Sequence, residues 1–397
     1  MANLRLLRSI YPYLFFFAIL STNACRKDPN VLPITPSSIG EGLDKSEYAG
    51  LYLLNEGNMG SNKASLDYLD FASGTYLKNI YPTRNHNVAM ELGDVGNDIG
   101  IYGSKLFLVI NASNKVEVLQ ASNAKRIGHI DIPNCRSLLF HGGNAYVTSF
   151  ISPIQIDPDS PRGALFRIDT ASLEVTGKVE VGYQPEEMAT DGKSIFVANS
   201  GGYRQPHYDN TISVVDIQTF HEGEKIPVAL NLHHIKRDHY DQLWVSSRGD
   251  YKEVPSSLVL LQRDKEKRFY PVDTLPIPCS NFAIKGDSLF YYAIEESPYT
   301  SDRKVSYGIV NIKSRKVVTK SFLKPHPEVN IETPYGIAIY GCTGDILITD
   351  AKGYTSSGTL YCFSSDGSFR WKVTTGDIPG HIAFLPKNLA TRETISH

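Results

Sequence analysis

Short apolar runs recur along the chain, each separated from the next by a tight polar turn. In the clearest copy, within residues 181–218, an apolar segment ends at Ala189, turns through Asp191-Gly192-Lys193 and resumes over 194–198. Apolar runs on both sides of an Asp-Gly turn predict a β-hairpin. A third strand is predicted over 211–216, and a fourth, less regular strand follows it. Four short antiparallel strands cannot bury both faces alone, so this unit must stack against others like itself.

The second and most apolar strand of this unit occurs seven times in the sequence. Its copies begin 39 to 57 residues apart, which is the period expected of four-stranded propeller blades. The copies begin at Leu51, Leu106, Ala145, Ile195, Leu243, Leu289 and Ile346. We therefore predict an all-β fold, a seven-bladed β-propeller.

The two ends of the propeller are predicted to meet in one blade. A first strand precedes every second strand except the one at Leu51, and residues 376–384 have the form of a first strand with no second strand after it. We expect this C-terminal strand to insert into the first blade and close the ring, which leaves no open sheet edge. The propeller would then span residues 49–387, and residues 388–397 would form a C-terminal tail.

The N-terminus has the pattern of an export signal. Arg5 and Arg8 precede an apolar run over 10–20, which is too short to span a membrane, and Ala24 stands directly before Cys25. This arrangement is similar to a bacterial lipoprotein processing site, with 1–24 as the signal peptide and Cys25 as the acylated residue. A plain secretory signal that happens to contain a cysteine is the alternative. Residues 25–48 are rich in Pro, Ser, Gly and charge, which is typical of a flexible tether.

Composition narrows the classes of function. The 397-residue chain has 40 Lys plus Arg against 42 Asp plus Glu, so no nucleic-acid partner is expected. Its five cysteines fall in no metal-ligand spacing, although Cys342 and Cys362 share a blade and would pair if their Cα atoms came within about 7 Å. No GxSxG, HExxH or phosphate-loop motif occurs. We therefore expect a binding protein without catalysis.

Closure of the ring would gather the loops before the first strands and after the second strands on one side, here called the top face. Amides donate and accept hydrogen bonds, tyrosine rings cover apolar surface, and arginine binds phosphate or carboxylate. The top face is therefore predicted to bind a large polar ligand. The candidate ligand-binding residues are Asn55, Asn58, Asn97, Asn111, Arg136, Gln184, Glu186, Asn199, Tyr203, Arg204, Tyr208, His233, Arg248, Asp250, Tyr251, Asn281, Tyr299, Tyr335, Asp350, Lys352, Tyr354 and His381.

Structural roles compete with ligand binding at these positions. Asn and Asp at strand ends commonly cap turns, the recurring tyrosines could pack against the neighbouring blade, and Arg204 and Arg248 could be plain surface charges. Alternation along a strand predicts that His233 and His234 point to opposite sides, which disfavours a metal site there. The strand-end residues concerned are Asn55, Asn111, Asn199 and Asp350, and the recurring tyrosines are Tyr203, Tyr251 and Tyr354.

Several runs are similar to those of a known family. They are GYQPEEMA (182–189), FVANSGGY (196–203), SSRGDY (246–251), TDAKGY (349–354), GTLYCF (358–363) and TGDIPGH (375–381). Over residues 49–387 the chain resembles the YncE-like seven-bladed propeller lipoproteins of gut anaerobes, most closely the cobalamin-binding BtuG family. This resemblance implies a protein that is lipid-anchored in the outer membrane, at the cell surface, and holds vitamin B12, a corrinoid, as a transported ligand. It also implies delivery of that ligand to a TonB-dependent, BtuB-like transporter.

Two other functions are compatible with the sequence. In one, the top face binds a protein loop or a glycan. In the other, the propeller resembles the lactonases, which hold a calcium ion with Glu and Asn side chains facing the central channel. The residues that could imitate that calcium set are Glu56, Asn97, Glu186 and Asn281.

Overall fold

Seven antiparallel sheets make up the part of the chain that the structure describes. The structure, a computed structural model, describes residues 35–40, 47–88, 91–296 and 303–390. The predicted signal peptide 1–24, Cys25, much of the tether and Tyr299 lie outside these residues. The seven sheets form a ring, so the predicted seven-bladed β-propeller is confirmed. None of the helices in these ranges is both long and apolar enough to cross a membrane.

Each blade is a sheet whose strands follow one another from the centre of the ring outward. Blade 1 combines strands from both ends of the chain, and blades 2 to 7 each use four consecutive strands. The strands are β1 Ser37–Ser38, β2 Tyr48–Asn55, β3 Ser65–Asp70 and β4 Thr75–Leu77; β5 Gly96–Tyr102, β6 Lys105–Ile110, β7 Lys115–Gln120 and β8 Arg126–Asp131; β9 Cys135–His141, β10 Asn144–Ser149, β11 Ala164–Asp169 and β12 Val175–Glu180; β13 Pro185–Thr190, β14 Ser194–Asn199, β15 Thr211–Asp216 and β16 Ile226–Pro227; β17 Leu232–Arg237, β18 Leu243–Ser247, β19 Ser257–Arg263 and β20 Phe269–Leu275; β21 Cys279–Lys285, β22 Ser288–Glu296, β23 Arg303–Asn311 and β24 Lys316–Thr319; β25 Pro334–Ile339, β26 Ile346–Asp350, β27 Ser357–Phe363, β28 Phe369–Asp377 and β29 Pro379–Pro386. A short helix, α1, covers Ile80–Arg84, and a 3₁₀ turn covers Lys387–Leu389.

Strand β29 closes the ring in the way the sequence predicts. It pairs with β2 as the innermost strand of blade 1, where Leu51 lies opposite Phe384 and Leu53 opposite Ile382. The seven innermost strands then contact one another in the order β29, β5, β9, β13, β17, β21, β25 and back to β29. The C-terminal end of the chain thus supplies the innermost strand of blade 1, and every blade has its innermost strand.

The chain ends differ from the prediction in two details. Within the predicted tether, β1 adds to the outer edge of blade 1, where Ser37 pairs with Tyr76, and the nearby Ile39 is buried against the blade. An unpaired sheet edge offers free backbone donors and acceptors, so even a short segment adds to it. At the other end, Leu389 and Ala390 of the predicted tail pack against the core between blades 1 and 2.

The hydrophobic core lies between the blades. The second strands are buried on both faces, which explains why they read as continuous apolar runs, and Trp244 in β18 is fully buried. Cys342 and Cys362 both contribute to the core between blades 7 and 1 and are free thiols, so the disulfide that the sequence left open is not formed.

Candidate functional site

Every innermost strand carries a β-bulge at its top end. In blade 2, for example, the register slips between Gly96 and Asp98, and comparable slips occur in the other six blades. A bulge sets two residues against one on the partner strand and re-aims their side chains. Consecutive residues can therefore both face the central channel. The pairs at these bulges are Gly380-His381, Asn97-Asp98, Arg136-Ser137, Glu186-Glu187, His233-His234, Ser280-Asn281 and Tyr335-Gly336.

The bulge overturns one expectation about the two adjacent histidines. Regular alternation predicted that His233 and His234 point to opposite sides of the strand. Their ring centroids instead lie 3.8 Å apart, and both residues line the same cavity, because the register of β17 slips between Leu232 and Ile235.

A cavity of about 1140 Å³ occupies the top of the channel, slightly more than the roughly 300–1,000 Å³ of typical small-molecule sites. Its lining has two characters. Most of the charged and amide side chains come from blades 1 to 5 and form one side. Apolar and aromatic groups from blades 5 to 7 form most of the other side, together with Ser280, Asn281 and Glu295 of blade 6. The second side includes Val254, Pro255, Pro276, Pro278, Tyr292, Ile294, Tyr335, Ile337 and Tyr354.

Glu186 is held between two arginines on the polar side. Its carboxylate oxygens accept hydrogen bonds from Arg136 Nη2 at 3.3 Å and Arg248 Nη1 at 3.2 Å. Burial works against ionisation, but the two guanidinium groups outweigh it, so the pKa of Glu186 lies below its usual value. Arg136 also donates to Asn97 Oδ1 at 3.0 Å. These contacts join blades 2, 3, 4 and 5 across the channel.

Glu187, its neighbour, makes a second charged cluster. Its carboxylate accepts hydrogen bonds from Lys236 Nζ at 2.6 Å and from the backbone N–H of Ile235 at 2.9 Å, and lies 3.1 Å from His234 Nδ1. Burial opposes ionisation here too, yet Lys236 and His234 lower the pKa of Glu187 to about 2. The cluster ties blade 4 to blade 5.

The third cluster lies where the ring closes. Glu56 accepts a hydrogen bond from Tyr335 Oη at 2.8 Å and lies 3.2 Å from His381 Nε2. His381 Nδ1 lies 4.0 Å from Asp98 Oδ1. Burial tends to lower the pKa of His381, but the two carboxylates prevail and raise it above its usual value. Burial raises the pKa of Asp98.

The structure brings one group of the predicted residues together around the cavity and places a second group elsewhere in the top loops. The first group is Asn97, Arg136, Glu186, His233, Arg248, Tyr251, Asn281, Tyr335, Tyr354 and His381. The second group, whose members do not line the cavity, is Asn55, Asn58, Asn111, Gln184, Asn199, Tyr203, Arg204, Tyr208, Asp250, Asp350 and Lys352.

Strand-end amides in the second group make buried structural hydrogen bonds. Asn55 Nδ2 donates to Ser65 Oγ at 3.1 Å, Asn199 Nδ2 to Ser213 Oγ at 3.0 Å, and Asn111 Nδ2 to the carbonyl of Cys135 at 2.8 Å. All three are buried. These bonds run between strands or between blades, whereas Asp350 caps a turn, since its Oδ1 accepts the backbone N–H of Lys352 at 2.9 Å.

Two other members of the second group pack against their own surroundings. The guanidinium of Arg204 lies 4.0 Å from the centroid of the Tyr183 ring and donates to the carbonyl of Ser160 at 2.9 Å. The ring of Tyr203 meets Phe150 edge-on, with centroids 5.0 Å apart. Both side chains are thus engaged within the loops.

Seven Asp, Glu, His or Lys residues that line the cavity were not among the candidate ligand-binding residues, although Glu56 belonged to the calcium alternative. They are Glu56, Asp98, Glu187, His234, Lys236, Lys252 and Glu295. Asp98, Glu187 and His234 directly follow a predicted residue, and the bulges bring them to the channel. Their signal in the sequence was the doubled polar pair at the head of a strand, such as Glu-Glu or His-His.

The contacts of Glu186 bear on the calcium alternative. Glu186, one of its proposed ligands, already faces two guanidinium groups, which repel a cation.

Solved structures with the same architecture support the fold class. A protein of unknown function from Desulfotomaculum acetoxidans has a TM-score of 0.58 at 10% identity, covering 85% of this chain and 98% of that chain. A protein from Lactobacillus plantarum has a TM-score of 0.56 at 11% identity, covering 85% and 99%. Hydrazine synthase of Kuenenia stuttgartiensis has a TM-score of 0.56 at 16% identity, covering 68% and 77%. Such identities show likeness of fold alone, and no protein-family model or curated protein matches the chain.

The fold and the cavity together define the class to which this chain belongs: it is a seven-bladed β-propeller protein with a large, two-sided cavity at the top of its channel.

Proposed function

We propose that this propeller is a lipid-anchored outer-membrane protein that binds a corrinoid in the top-face cavity and delivers it to a TonB-dependent transporter. The observation that carries the proposal is the two-sided lining of the cavity. A complete corrinoid such as cobalamin is a broad ring edged with amides and carries one phosphate, so it needs an apolar wall and many hydrogen-bonding groups at once. The resemblance of the top loops to the cobalamin-binding family points to the same ligand.

Several features suit tight binding. The polar groups are held in position by contacts between blades, such as Arg136 with Asn97 and Tyr335 with Glu56. Groups that are ordered before the ligand arrives lose little entropy on binding. A transported scarce nutrient calls for a nanomolar dissociation constant, about 12 kcal/mol, which many preformed contacts can supply. These preformed contacts suit a rigid receptor.

Calorimetry of the full-length protein in detergent with cyanocobalamin tests the proposal. We expect one ligand per protein with a nanomolar or lower dissociation constant. Tyr251→Ala removes an exposed cavity ring and should weaken binding, whereas Tyr270→Ala, on the outer strand of blade 5, serves as the matched control. Absence of heat at micromolar protein would refute the corrinoid assignment.

A protein or glycan partner is the second candidate for the same face. The observation in its favour is the rim pair of Tyr208 and Tyr251, whose centroids lie 6.4 Å apart while Tyr251 is 63% exposed. Exposed aromatic pairs are common in such contacts. This candidate predicts that Tyr251→Ala abolishes co-purification of a partner while cyanocobalamin fails to bind the unaltered protein.

A further inference from the structure

Two cationic side chains in the loop after β18 line the cavity and have hydrogen-bond donors that are not used within the described residues. Arg248 uses Nη1 to contact Glu186, and within the described residues no other hydrogen bond of its guanidinium group is found. Lys252 also lines the cavity, and its ammonium group forms no ion pair or hydrogen bond with any described residue. Both side chains come from one short loop and line the same cavity.

The loop that carries these cations is held rigidly. Asp250 Oδ1 accepts the backbone N–H groups of Lys252, Glu253 and Val254 at 2.9, 2.9 and 2.8 Å. Gly249 is left-handed, with φ of 64°, and a Cβ there would lie 2.0 Å from the Val254 carbonyl oxygen. A rigid loop fixes where its charges lie before the ligand arrives.

Charge is unevenly distributed around the cavity. On the side formed by blades 3 to 5, four cations, Arg136, Lys236, Arg248 and Lys252, face only two carboxylates, Glu186 and Glu187. Elsewhere around the cavity, Glu56, Asp98 and Glu295 supply negative charge, and Glu295 lies 4.0 Å from Lys304. The positive charge also affects His233. Burial is the main cause that lowers the pKa of His233 well below its usual value, and the nearby Arg248 lowers it further. An anionic group is therefore attracted to the wall of blades 4 and 5.

We propose that Arg248 and Lys252 form a subsite for a phosphodiester group of the ligand. A phosphodiester has two unesterified oxygens, which suit a guanidinium edge on one side and an ammonium group on the other. This inference rests on the proposed function, because it assigns the phosphate of a complete corrinoid to one wall of that cavity. The amide-edged ring would then lie toward the apolar side.

The test compares cyanocobalamin with dicyanocobinamide, which has the corrin ring but lacks the phosphodiester and the nucleotide. Affinities are measured for the unaltered protein, Lys252→Gln and Arg248→Lys. Lys193→Gln makes the same charge change on an exposed turn of the opposite face and serves as the control. Loss of one charge-assisted contact predicts a weakening of cyanocobalamin binding by about tenfold in Lys252→Gln, and of dicyanocobinamide binding by less than about twofold. Arg248→Lys keeps the charge but loses the guanidinium edge, so a selective loss is expected there as well.

Other outcomes separate the inference from the proposed function. Equal effects of Lys252→Gln on both ligands, or none on either, would overturn the phosphodiester subsite while leaving corrinoid binding intact. If neither corrinoid binds the unaltered protein, the proposed function fails, and titration with inorganic pyrophosphate decides the subsite. Amide NMR shifts over residues 249–254 that Lys252→Gln abolishes would support an anion site, and their absence would refute it.

Discussion

Replacing Glu187 by Gln tests whether the charged clusters of the channel stabilise the ring. The cluster lowers the pKa of this carboxyl from 4.5 to about 2. At about 1.4 kcal/mol per pKa unit this fall corresponds to about 3 kcal/mol in favour of the folded state. The side chain is 25% exposed, so solvent screening reduces the expected effect. We expect Glu187→Gln to lower the free energy of unfolding at pH 7 by about 2 kcal/mol.

The stabilisation by Glu187 should depend on pH in a definite direction. A depressed pKa means that the unfolded state binds more protons than the folded state as the pH falls below about 4.5. The stabilisation is therefore complete above that value and is lost as the pH falls toward about 2. The difference in free energy of unfolding between the unaltered protein and Glu187→Gln should therefore shrink steadily over this window. The reason is that the unaltered protein loses the stabilisation by the ionised carboxylate, which the variant lacks at every pH.

Urea unfolding at pH 7 and at pH 3 measures this difference. Glu180→Gln is the control, because Glu180 makes an exposed ion pair with Arg162 at 2.8 Å and should contribute less than about 1 kcal/mol. A Glu187→Gln variant as stable as the unaltered protein at pH 7 would refute the reasoning. So would a loss of stability that is the same at both pH values.

Three further predictions concern the ring closure and the core. NMR titration should give His381 a pKa above 6.5. Glu56→Gln should lower this pKa, because the Glu56 carboxylate favours the imidazolium form, and an unchanged value would contradict the assigned contact. Alkylation of the native protein should modify the half-buried Cys342 and spare the buried Cys362 until the protein unfolds, whereas a mass showing a bond between them would refute the free-thiol assignment. Deleting strand β29 removes the innermost strand of blade 1 and exposes the apolar edge of β2. Circular dichroism and solubility measurements should then show loss of the cooperative fold. A soluble variant that unfolds cooperatively would show that closure of the ring is dispensable.

Much of the architecture could be read from local pattern. The apolar second strands beginning at Leu51, Leu106 and their five counterparts match strands of the structure, and the partnerless segment near His381 pairs with β2 as predicted. Strand periodicity and turn chemistry depend on neighbouring residues, so they are visible in a single sequence. Ring closure could be predicted by counting strands. The first blade, which contains Leu51, had no innermost strand, and the C-terminal segment 376–384 had the form of an innermost strand with no second strand after it.

The chain alone thus determined the seven blades, the joining of its two ends and the face on which polar loops gather. Only the tertiary structure decided which polar side chains face the channel. Bulges turn both members of pairs such as Glu186-Glu187 inward, which alternation cannot predict. The ring also joins residues far apart in sequence, as when Tyr335 donates to Glu56 and Arg248 to Glu186. Such partnerships depend on how blades meet, and that geometry is a property of the closed ring and not of any one repeat.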